Sequence, residues 1–92
     1  MAIQYRNQHF IDQITKRINE IRTEKGIVQE DIADRTGFTL KQVWRLLNGQ
    51  HNFAISNIEA IANALQVHPK ELFDFDFKMV KHPPTRKERK GK

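Results

Sequence analysis

Residues 29–48 read QEDIADRTGFTLKQVWRLLN, and the fold turns on how this stretch divides. Gln29 to Thr36 has the pattern of a short helix whose inward face is Ile32 and Ala33. Glu30 and Asp31 fall in its first turn, where carboxylates suit the positive end of the helix dipole and need no catalytic role. Gly37 breaks the pattern and Phe38 follows it. Thr39 is a good N-cap, because its hydroxyl accepts from the free N–H groups of a first turn. A further helix is expected over Leu40–Asn48, ended by Asn48-Gly49, with Val43, Leu46 and Leu47 inward. Its opposite face holds Leu40, Lys41, Trp44, Arg45 and Asn48, with Gln42 at the margin.

The flanks supply the elements that would brace this pair. Upstream, Ile11, Ile14, Ile18 and Ile21 recur at three- and four-residue steps, which places them on one stripe of a first helix beginning near Phe10 and ended by Gly26. Downstream, residues 50–54 form a loop, and Ser56 with Glu59 three positions on has the form of a capping box, although a start a residue or two earlier is equally open to the helix. Ile55, Ile58, Ile61, Ala62 and Leu65 line the fourth helix. Pro69 suits the first turn of a short fifth helix, with His68 before it and Leu72 and Phe73 as its apolar residues. The period then changes. Phe73, Phe75, Phe77 and Met79 alternate with Asp74, Asp76 and Lys78, a two-residue repeat that signals a strand. Ile3 and Tyr5 alternate too, so one reading pairs the two termini or two chains. The other is an irregular segment whose Phe side chains cover the end of the helical domain. Pro83-Pro84 ends the ordered chain. The chain thus divides into an N-terminal extension over 1–9, a domain over 10–77 and a basic flexible tail over 78–92.

Composition narrows the function. The chain has 92 residues, 38% hydrophobic and 29% charged, which fits one small soluble domain. No apolar run approaches the roughly 18 residues of a membrane span, and MAIQYRNQHF lacks the apolar core of a signal peptide. A cytoplasmic, nucleoid-associated location is expected. There is no Cys, so neither disulfides nor thiolate metal sites arise. His9, His51, His68 and His82 share no element at ligand spacing, so no metal is expected. No nucleophile–base arrangement or Gly-rich phosphate loop is present, so neither an enzyme nor a cofactor is expected. The net charge of +5 lies in residues 81–92, where six Lys/Arg stand against one Glu; residues 1–80 are neutral. From Arg35 to Ile58 there is no acid, while Arg35, Lys41, Arg45 and His51 are all there. A local acid-free stretch points to an anionic partner.

Two short helices joined by a tight turn within a bundle are the helix-turn-helix layout. An α-helix fits the major groove of B-DNA, where base edges display a distinct donor and acceptor pattern. The outward face of the third helix, free of acid, suits approach to phosphate.

At this point the sequence resembles a known family. IRTEKGIVQEDIADRTGFTLKQVWRLLNG followed by ISNIEAIANALQVHPKELF is similar to the phage-repressor or xenobiotic-response-element (XRE) type of helix-turn-helix protein. The marks are Arg22, Gly26, Gln29, Ile32-Ala33, Gly37, Val43, Asn48-Gly49 and the Ile61-Ala62 to Ala64-Leu65 pattern. The resemblance implies an all-α, five-helix, lambda-repressor-like bundle that binds double-stranded DNA, usually as a homodimer. It implies that Gln29 contacts a backbone phosphate and that Thr39, Leu40, Lys41 and Arg45 reach base edges. Arg45 is placed for a bidentate guanine contact, and Thr39 and Leu40 for a thymine methyl. Gln42, Asn48, Gln50, His51 and Asn52 match the phosphate-contacting rim. Trp44 stands at a commonly polar position, with DNA, a partner surface and packing over a neighbouring helix as its readings. Val28 stands where a Ser or Thr cap is usual. Leu47 replaces a Glu that commonly pairs with the residue matching Arg22, which leaves Arg22 to turn to phosphate or another acid.

The leading expectation is a repressor acting as a homodimer on a pseudo-palindromic operator. Its self-interface is expected along the C-terminal side at Val67, Phe73, Phe75 and Phe77. Alternatives are an antitoxin with a toxin partner, a restriction controller, and a protein-interaction module that has lost DNA binding. The tail reads as an arm adding nonspecific DNA affinity, or as a solubilising end. No lipidation motif supports a membrane tether.

Overall fold

The isoleucine stripe of the first helix is the spine of the molecule. A computed structural model describes residues 7–50 and 52–87. In it α1 runs Gln8–Lys25, α2 Gln29–Thr36, α3 Leu40–Leu47 and α4 Ile55–Leu65, followed by a 3-10 turn over Pro69–Phe73. α1 starts two residues before the expected Phe10, because Asn7 caps it by accepting from the Phe10 N–H at 3.0 Å. Ile11, Ile14, Ile18 and Ile21 are all buried, as their spacing implies. Of these, Ile14, Ile18 and Ile21 cluster with Ile32 of α2, Val43, Leu46 and Leu47 of α3, and Ile61, Ala62 and Leu65 of α4, with Leu72 closing the base. α2 packs against both α3 and α4, and the 3-10 turn packs against α1 and α4.

Three expectations are corrected. The fifth helix is a 3-10 turn, set by Pro69 at its start and by His68, whose Nδ1 accepts from the Lys70 N–H. α4 takes the earlier of the starts that the sequence allows: it begins at Ile55, ahead of the Ser56–Glu59 box, with Ala54 as N-cap and no side-chain cap. Ile55 is consequently 88% exposed rather than a core residue. Finally, there is no strand among the described residues. The alternating Phe side chains instead gather on α1. Phe10 stacks on Phe73 at 6.5 Å and meets Phe75 and Phe77 edge-on at 5.7 and 5.6 Å. Gln13 ties the segment down by donating to the Asp76 carbonyl at 3.2 Å. The irregular covering segment is therefore the reading that holds. Ile3 and Tyr5 lie outside the described residues.

Candidate nucleic-acid interface

The turn before α3 is fixed by local chemistry. Gly37 ends α2 at φ 81°, a left-handed conformation that costs glycine little. The Thr36 hydroxyl donates to the Ile32 carbonyl and accepts from the Phe38 N–H. Phe38 then packs on the core. Thr39 caps α3 as expected, accepting from the Gln42 N–H at 3.1 Å. The Val28 departure is partly offset. Val has no oxygen to offer, but the Asp31 carboxylate reaches back to accept from the Val28 N–H at 3.1 Å, which is half of a capping box.

α3 buries Val43, Leu46 and Leu47 and presents the other side to solvent. Leu40, Lys41, Trp44 and Asn48 are exposed, while Gln42 and Arg45 are half-buried at the margins. Gln29 stands half-buried at the start of α2, and Thr39, Gln50 and Asn52 are exposed around α3. His51 lies outside the described residues. Trp44 is 46% exposed and Leu40 48% exposed. Among the described residues, Lys41 and Arg45 make no side-chain hydrogen bond or ion pair, and the ion pairs gather on Arg17 instead, with Glu20, Glu71 and Asp74. Arg35, the other cation of the acid-free stretch, is committed elsewhere: its Nη1 donates to the Ala64 carbonyl at 2.7 Å, holding the last turn of α4.

The positioning of α3 depends on residues that periodicity does not single out. Asn19 of α1 donates from Nδ2 to the Leu47 carbonyl at 2.9 Å and to the Thr15 carbonyl at 3.0 Å. Its Oδ1 accepts from Arg22 Nε at 2.7 Å, and Arg22 Nη1 donates to the Ile27 carbonyl at 3.4 Å. Arg22 therefore turns neither outward nor to an acid. It aligns Asn19, which holds a last-turn carbonyl of α3 that has no intrahelical partner. One turn further, α3 ends in a Schellman arrangement. Gln50 N–H donates to the Arg45 carbonyl at 2.9 Å across Gly49, whose φ is 71°. Gln8 Nε2 donates to the Gly49 carbonyl at 2.9 Å. The approach is close: a Cβ at Gly49 would lie 2.9 Å from Asp12 Oδ1 and 3.4 Å from Thr15 Oγ1. α1 thus holds the end of α3 through two side-chain amides, and no sequence pattern identifies either contact.

No group of three or more His, Cys, Asp or Glu residues is placed to hold a metal among the described residues. No helix among them is long and apolar enough to cross a membrane.

A braced second helix, a capped turn and a projecting third helix with unengaged cations together define a helix-turn-helix DNA-binding protein. Residues 17–78 match the family described as Cro/C1-type HTH DNA-binding domain, and the chain belongs to that family of DNA-binding regulators. Among solved structures, it is similar to the restriction-modification controller protein C.AhdI from Aeromonas hydrophila. The identity is 36% and the TM-score 0.64, over 68% of this chain and 96% of that one. It is also similar to the hypothetical transcription factor NHTF from Neisseria, at 23% identity and a TM-score of 0.65, over 99% of this chain and 94% of that one. The second likeness concerns the fold alone. No curated protein sequence matches the chain.

Proposed function

We propose that the protein is a sequence-specific transcriptional repressor that binds a pseudo-palindromic operator as a homodimer and has no catalytic activity. The carrying observation is the acid-free exposed face of α3, where Lys41 and Arg45 have no side-chain partner among the described residues. Each half-site is read by Thr39, Leu40, Lys41 and Arg45 in the major groove. Gln29, Gln42, Asn48, Gln50, His51 and Asn52 hold the phosphates, contacts that set register but carry no sequence information directly. The self-interface is the aromatic patch of Phe73, Phe75 and Phe77, together with Val67. Phe73 and Phe77 remain 43% and 63% exposed, more apolar surface than a monomer's core requires. Two-fold pairing then requires half-sites about one helical turn, 34–36 Å, apart. The protein acts in the cytoplasm, at the nucleoid.

The likeness to the Aeromonas hydrophila controller favours a second, compatible reading, in which the regulated genes are those of a restriction-modification system. Binding-site selection from random duplexes, followed by sequencing, tests the function. A two-fold symmetric consensus is expected; the absence of any preferred sequence would refute it. A restriction or methylase gene beside the recovered genomic operator would separate the controller reading from a general repressor.

A further inference from the structure

The segment that covers α1 after the 3-10 turn has a direction. Asp74 lies 4.0 Å from Arg17, the Asp76 carbonyl accepts from Gln13, and Phe77 meets Phe10. Lys78 then lines one cleft with Asn7, His9 and Phe77. Residues 74–78 therefore run along α1 from its middle to its start. The start of α1 also holds the end of α3, because Gln8 donates to the Gly49 carbonyl at 2.9 Å. Gly49 leads directly into Gln50 and Asn52 of the proposed phosphate rim. The covering segment thus delivers the chain beyond it to the rim, and not to the opposite pole, where α1 ends at Gly26.

What is delivered there is cationic. Residues 77–87 contain no acid, and Lys78, Lys81, Arg86 and Lys87 are all exposed. None of the four makes a side-chain hydrogen bond or ion pair among the described residues. The acids nearby, Asp74 and Asp76, lie behind the exit, and Asp12 accepts from Gln8. Residues 76–85 take up neither helix nor strand, and Pro83-Pro84 keeps part of that stretch extended. At about 3.3 Å per residue, the chain from Lys78 to Lys87 reaches up to roughly 30 Å, close to one turn of B-DNA.

We infer that residues 78–87 form an arm that each protomer lays on the phosphates of the operator spacer, between the two half-sites. The inference rests on the homodimer reading, which puts the two-fold axis at Phe73, Phe75 and Phe77, on the same segment from which the arm leaves. Both arms therefore emerge beside the axis, where the DNA facing the protein is the spacer. The charge of the arm supplies affinity, and the covering segment sets its address.

The test uses the full chain and the selected operator, with phosphate contacts mapped by ethylation interference. Wild-type protein should show interference at spacer phosphates as well as in the half-sites. The triple variant Lys81→Gln, Arg86→Gln, Lys87→Gln should lose the spacer signal and keep the half-site pattern. Its slope of log affinity against log salt should fall by about 0.9 for each phosphate released, up to about 5 for the two arms. A second variant carries about ten Gly/Ser residues inserted after Lys78, which keeps every charge but frees the arm by roughly 18 Å. It should retain most of the salt slope while the spacer signal spreads or vanishes. Absence of spacer interference in the wild type would overturn the inference, as would a spacer signal unchanged in the triple variant. A spacer signal left in place by the insertion would overturn the guiding role of the covering segment. Failure of the underlying reading shows separately, as a selection that yields no operator or a site without two-fold symmetry.

Discussion

Replacing Asn19 with alanine removes the group through which α1 holds the end of α3. The wild-type amide donates to the carbonyls of Thr15 and Leu47 and accepts from Arg22. The Thr15 carbonyl lies within α1 and loses least. The Leu47 carbonyl is left with water as its substitute, and Arg22 Nε loses a charge-assisted partner. At about 0.5–1.5 kcal/mol for a neutral bond and somewhat more for one to a charged group, the gross loss is about 2–3 kcal/mol. Alanine's better helix propensity returns about 0.5 kcal/mol, so the expected net loss is about 2 kcal/mol. For a domain of this size that corresponds to a fall in Tm of roughly 8–16 °C. Urea unfolding followed by circular dichroism should show a lower midpoint at an unchanged m-value. Arg22→Ala and the double variant complete a cycle, and a coupling energy of about 1 kcal/mol is expected because Arg22 acts through Asn19. Asn19→Asp separates the two functions: it keeps an acceptor for Arg22 but loses the donor to Leu47. A change below about 0.5 kcal/mol for Asn19→Ala, the ordinary range for surface substitutions, would refute the assignment.

Three further outcomes follow from the same geometry. Arg45→Ala should weaken operator binding by about 1–3 kcal/mol while nonspecific binding falls far less, measured by titration of operator and scrambled duplexes at fixed salt. Gly49→Ala should cost about 1–2 kcal/mol for the left-handed backbone alone, with an added penalty from the Asp12 and Thr15 oxygens, and thermal melts check it. Truncation after His82 removes five basic residues. It should flatten the dependence of log affinity on log salt, and an identical slope would exclude phosphate contacts by the tail.

Most of the bundle was legible because burial in it follows helical spacing. The isoleucines of α1, the Thr39 cap and the inward trio of α3 are local patterns, and the structure places them as expected. Failures came where a local pattern had two physical outcomes. Ser56 and Glu59 have cap spacing, yet backbone geometry starts α4 at Ile55 and turns that side chain to solvent. The alternating phenylalanines satisfy a strand's period equally well as an extended cover, and Phe10 supplies the surface that decides between them. Pro69 correctly marked a helical turn, but only a 3-10 turn formed. The outward face of α3 was readable because it is the complement of a buried stripe. Its anchors, Asn19 and Gln8, were not, because their partners are main-chain carbonyls 28 and 41 residues away. Arg22 was expected to seek phosphate or an acid in place of the glutamate that Leu47 replaces. A neutral amide one turn away on α1 takes that place instead.

The central claim is that the exposed side of α3 enters the major groove. Dimethyl sulfate interference on the selected operator tests it directly, since the reagent marks guanine N7 in that groove and adenine N3 in the minor groove. Interference at a guanine N7 in each half-site, lost in Arg45→Ala, is the expected result. Interference confined to adenine N3, or a guanine pattern unchanged in that variant, would contradict the account.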